Sequence, residues 1–95
     1  MITVGMNYEV LEGKEKIFEN AFEAVLEAMN KMPGHQHSRL CRDVHKHGSY
    51  VILSEWESQE SFQSFIRSEQ FAQVTSWGKE QILKGRPSHR IYRTS

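Results

Sequence analysis

The stretch from Ser49 to Phe71, SYVILSEWESQESFQSFIRSEQF, constrains the fold most, because within it the hydrophobic period changes from that of a strand to that of a helix. Tyr50-Val51-Ile52-Leu53 is a short run of β-branched and aromatic residues. Its length predicts a strand that ends at Trp56 and is buried on both faces. Ser58 then offers a hydroxyl to the free N–H groups of a helix start, Glu60 places negative charge in the first turn, and Phe62, Phe65 and Ile66 follow at helical spacing. A strand that hands over to an amphipathic helix within about three residues must fold that helix back onto its own sheet.

The rest of the chain is predicted around this corner. Ile2, Val4, Met6, Tyr8 and Val10 alternate with Thr3, Gly5, Asn7 and Glu9, the period of a strand with one apolar face, and Gly13 closes it with a turn. Phe18, Phe22, Val25, Leu26, Met29 and Met32 recur at three- and four-residue spacing, predicting a core-facing helix from Lys14 to about Met32 that stops at Pro33-Gly34. From His35 to about Val44 the alternation leaves both sides polar, as expected of a sheet edge or the wall of a wet cavity, and His45 to Ser49 makes a hairpin turn. Arg67-Ser68-Glu69 breaks the second helix with Ser68 as a new cap, and Phe71, Val74, Ile82 and Leu83 are read as lying along its continuation. Lys84 to Pro87 is a turn, and Ser88 to Arg93 a closing strand. The order is βαββαβ, one domain over residues 1–95.

Two helices cover one side of such a sheet, so the face carrying Ile2, Val4, Met6 and Tyr8 is predicted to meet a second copy of the chain in a homodimer. Asn7 is on the opposite face beside small Gly5, and is expected to point into a cavity under the helices. Twelve basic residues balance twelve acidic ones without long runs, which argues against nucleic acid or an anionic membrane surface as partner. No apolar run approaches the ~20 residues of a membrane span, and the N-terminus lacks the pattern of a signal peptide. One cysteine, Cys41, is compatible with a reducing compartment, and the expected location is the cytoplasm.

Five histidines raise the question of a metal. His37 and His45 are about eight residues apart, over ~25 Å along a strand, so the pairs His35/His37 and His45/His47 cannot converge, and no metal site is expected. Phosphate-binding glycine loops, nucleophile turns and paired carboxylates are not found either.

Trp56-Glu57-Ser58 at a strand end, Phe62 in the next helix, Ser68 and Phe71 beyond it, and Met32-Pro33-Gly34 upstream resemble the antibiotic biosynthesis monooxygenase family, from Asn7 to near Ile91. That family includes cofactor-independent quinone-forming monooxygenases and small haem-degrading monooxygenases. The resemblance implies a ferredoxin-like α+β fold with an antiparallel sheet, paired into a dimeric α+β barrel. It also implies oxidation of an aromatic or polyketide-like small molecule by dioxygen. In the haem-degrading branch a first-strand Asn accompanies a Trp in the second helix and a His that ligates iron. Asn7 matches the first, but Phe65 stands at the Trp position and Thr75 at the His position. Threonine cannot replace a neutral imidazole on haem iron. The resemblance therefore points to a site without bound cofactor: Asn7 as hydrogen-bond donor to a developing phenolate, His37 as proton acceptor, and Phe65, Thr75 and Trp77 lining the substrate. The alternatives are a haem-binding or haem-degrading enzyme, whose ligand a Thr75→His change would restore, and a non-catalytic dimeric binding module of the same fold.

Overall fold

A computed structural model describes residues 1–74, 82–84 and 88–93. Its elements run β1 (Ile2–Glu9), α1 (Glu15–Asn30), β2 (His35–Arg42), β3 (Ser49–Trp56), α2 (Gln59–Ile66), α3 (Glu69–Val74) and β4 (Ser88–Arg93). The strands form an antiparallel sheet in the order β2-β3-β1-β4, which with the helices on one side is the expected ferredoxin-like α+β fold.

The corner is built as its sequence dictates. Trp56 ends β3, and Ser58, with extended backbone angles, accepts a hydrogen bond from the Ser61 N–H at 3.2 Å. Ser68 repeats the device: its Oγ accepts from the Phe71 N–H at 3.1 Å and donates to the Phe65 carbonyl at 2.6 Å, so one hydroxyl closes α2 and opens α3. Phe62 and Phe65 are thereby held against Trp56, with ring centroids 5.9 and 5.4 Å away. Phe18 of α1 packs between Tyr8 and Tyr50, at 5.2 and 5.0 Å.

Three expectations are corrected. Ile2, Val4, Met6 and Tyr8 face the helices and are buried within the single chain, so the apolar face of β1 is core rather than a surface for a second copy. β3 is buried on one face only: Tyr50, Ile52, Ser54 and Trp56 are buried, whereas Val51, Leu53 and Glu55 remain half-buried on the open side. Ile82 and Leu83 do not extend a helix. Leu83 forms an antiparallel bridge with Val10, and the Leu11 N–H donates to the Ile82 carbonyl at 2.8 Å, prolonging the β1 edge. Boundaries shift slightly as well, α1 ending at Asn30 and β2 at Arg42. The polar character expected of β2 suits its place at the sheet edge.

Candidate active site

Between the sheet and the α2–α3 corner lies a cavity of about 270 Å³ lined by Met6, Tyr8, Ile66, Phe71, Ser88 and His89. Its position follows from the fold. Met6 and Tyr8 are successive helix-facing residues of β1, and Met6 pairs directly with His89, which places that imidazole on the same face. The break at Ser68 turns the chain so that Phe71 approaches Phe65, ring to ring at 5.1 Å, and leaves open space instead of packing down onto the sheet. His89 sits edge-on to Phe62 at 5.5 Å and is exposed at the mouth.

Apolar walls with a few placed polar groups are the usual composition of a small-molecule site. The Tyr8 hydroxyl donates to Met6 Sδ at 3.7 Å, and burial pushes the Tyr8 phenol well above its ordinary range, so it stays protonated at neutral pH. A second cavity of about 320 Å³ lies between α1 and β2, lined by Glu19, Leu40, Arg42 and Tyr50. There the Tyr50 hydroxyl donates to Glu19 at 2.5 Å. Burial, followed by that hydrogen bond, pushes the Tyr50 phenol up to about 12. Its acid and its phenol satisfy each other, whereas the first cavity presents an imidazole beside an apolar wall.

The residues expected to form the site are not gathered there. Asn7 is exposed on the sheet face opposite Met6 and Tyr8, because the pleat alternates sides and the apolar set took the helix side. His37 is on that same open face, with Nε2 3.5 Å from Glu55 Oε1. His37 pairs with Glu55, and Glu55 with Thr3, four residues before Asn7. The two are thus about 13 Å apart along the strands and about 10 Å across them, too far to serve one reacting atom. Phe65 is fully buried behind Phe71, supporting the cavity wall without lining it. Thr75 and Trp77 lie outside the described residues. Sequence reasoning passed over His89. Its alternation with Ile91 along β4 was the available signal, since both occupy the helix-facing phase.

Haem, which the resemblance also implies, would find one imidazole in the described lining, that of His89, whereas Thr75, at the position of the family's ligand, lies outside the described residues. That imidazole stands at the mouth of the cavity, edge-on to Phe62. Among the described residues no three His, Cys, Asp or Glu side chains gather as a metal site, and no helix is long and apolar enough to cross a membrane.

The family model of antibiotic biosynthesis monooxygenases matches residues 1–77. Over 87 residues, 92% of the chain, it is 32% identical to a Haloquadratum walsbyi protein and 33% identical to one from Halobacterium salinarum, both named "Putative heme-binding protein". The chain spans only 16% and 18% of the lengths of those relatives. Among solved structures, SnoaB of Streptomyces nogalater, a cofactor-independent oxygenase, superposes with a TM-score of 0.82 at 18% identity, covering 99% of this chain and 92% of that one. A conserved protein of Methanosarcina mazei Go1 gives a TM-score of 0.85 at 23% identity, covering 99% of this chain and 92% of the other. At these identities the structural likeness establishes the fold.

Proposed function

The chain belongs to the antibiotic biosynthesis monooxygenase family, and we propose that it oxidises a small aromatic molecule with dioxygen in the cavity beside His89, without a bound cofactor. The observation carrying this reading is the apolar cavity with a single imidazole at its mouth, in a fold shared with a cofactor-independent oxygenase. The reaction balances without an external reductant. Conversion of a hydroxylated ring to a quinone at the C–H para to the hydroxyl releases four electrons, and dioxygen accepts them, one oxygen atom becoming the new carbonyl and the other leaving as water with the phenolic and ring hydrogens. The walls exclude bulk solvent and hold the ring, while polar groups near the mouth stabilise the negative charge that develops on the substrate oxygen.

Oxygen consumption on a panel of hydroxylated one- and two-ring aromatics provides the test. One dioxygen consumed per substrate oxidised, insensitive to iron chelators, is expected. Filling the cavity with Ile66→Trp should lower kcat/KM at least tenfold while leaving the circular dichroism spectrum unchanged. Absence of uptake across the panel would sink the proposal. The relatives named for haem motivate a second reading, tested by haemin titration. A saturable Soret shift at stoichiometric haemin would replace the cofactor-free reading.

We further propose that two copies pair through the open sheet face, where Val51, Leu53 and Cys41 are half-buried around Gly5 and Thr3. Asn7 and His37 then belong to the interface instead of the cavity, and the lone thiol of Cys41 is sheltered there, as suits a cytoplasmic protein. Leu53→Asp would place a charge at the centre of this face and is expected to yield a monomer by sedimentation, with the core beneath intact. A dimer persisting in that variant would move the interface elsewhere.

A further inference from the structure

The polarity of the cavity is concentrated at one end. Met6, Ile66 and Phe71 supply the apolar walls, the Tyr8 hydroxyl is engaged with Met6 Sδ, and His89 brings its imidazole to the rim from β4, where Ser88, paired with Asn7 in the other sheet phase, borders the opening. We infer that His89 selects the substrate by accepting the proton of an aromatic hydroxyl at the mouth. The inference deepens the proposed function and rests on it for the identity of the site.

The proton balance is simple. The substrate O–H bond breaks, its electron pair stays on oxygen, and the proton passes to a ring nitrogen of neutral His89, giving an imidazolium beside a phenolate. His89 is faced by Met6 and Tyr8 from β1 and Phe62 from α2, with Ser88 and Arg90 beside it on β4. Tyr8, whose phenol burial keeps protonated, can donate a hydrogen bond but cannot take the proton. Arg90 pairs with Gly5 on the opposite sheet phase and is a permanent cation. No carboxylate belongs to the described lining. His89 is therefore the described lining group able to receive the proton and balance the charge left behind. The volume suits an aromatic ring: an apolar cavity of ~150 Å³ takes one benzene ring, and this one is about 270 Å³.

The full chain titrated with 4-nitrophenol and with nitrobenzene, which lacks only the hydroxyl, reads the proton transfer directly. At a pH between the ordinary imidazole midpoint of ~6.5 and the higher midpoint of free 4-nitrophenol, binding should enlarge the visible phenolate band beyond that of the free phenol. The phenol should bind at least tenfold more tightly than nitrobenzene. His89→Gln should abolish the enlargement and reduce the preference to less than threefold, with the melting temperature unchanged because His89 is exposed. An enlarged phenolate band that survives His89→Gln, or nitrobenzene bound as tightly as the phenol, overturns the role of His89. Oxygen uptake is measured separately. Uptake without His89-dependent binding removes this inference alone, whereas His89-dependent binding without uptake on any aromatic removes the oxidation and leaves the selectivity standing.

Discussion

Trp56→Ala is expected to cost about 3–5 kcal/mol, the range for deleting a fully buried aromatic side chain, and so to remove much of the stability of a domain this small. The indole is fully buried and packs against the rings of His35, edge-on at 5.0 Å, Phe62 at 5.9 Å and Phe65 at 5.4 Å. It also carries a polar obligation. Its Nε1–H donates to Ser54 Oγ at 3.0 Å, and Ser54 is itself buried, so truncation leaves a hydroxyl without that partner in the core as well as a cavity. With a urea m-value of ~1–3 kcal/mol/M for a small protein, the unfolding midpoint should fall by roughly 2 M. Trp56→Phe should lose less, because it keeps ring contacts and forfeits the hydrogen bond. Urea titration followed by circular dichroism decides. A midpoint within about 0.3 M of the parent would mean that the corner is not the centre of the core. Because Phe62 and Phe65 lean on Trp56 and Phe71 leans on Phe65, partial unfolding there should also release bound aromatic ligand.

The same corner marks how much the sequence discloses. Local rules specified it: a change of period at Trp56, a hydroxyl at Ser58, another at Ser68. They also placed α1 and its aromatic stripe, since Phe18, Val25 and Met29 are all buried. What local pattern cannot say is which partner covers a face. The alternation in β1 correctly grouped Ile2, Val4, Met6 and Tyr8, yet helices and a second copy are equally apolar covers, and the assignment came out reversed. That single reversal carried Asn7 from the cavity to the open face. His89 was missed for a related reason. Alternation with Ile91 gives the phase of His89 within β4 but not what that phase faces, and the residue gains its role only by pairing with Met6, 83 positions earlier in the chain.

Gly34→Ala should prove nearly as damaging as the loss of Trp56, although it adds one methyl group. Gly34 has φ +89°, where a side chain is strained, and a Cβ built there would stand 2.7 Å from Ser61 Cβ. The left-handed backbone costs roughly 1–2 kcal/mol and the overpacking a further ~1–3 kcal/mol. Nor can the segment move away freely. The Gly34 carbonyl accepts the Glu57 N–H at 2.7 Å, tying the exit of α1 to the start of α2. The two costs separate in a double-mutant cycle with Ser61→Gly, which removes the methylene and hydroxyl that the new methyl meets. In that background Gly34→Ala should cost about 1–3 kcal/mol less than in the parent, the backbone strain remaining. Strict additivity would show that strain alone is responsible. A near-neutral Gly34→Ala would show that the α1 exit can shift away from α2, and would predict that Ile66 and Phe71, carried by the α2–α3 segment, are not held in fixed positions over the cavity.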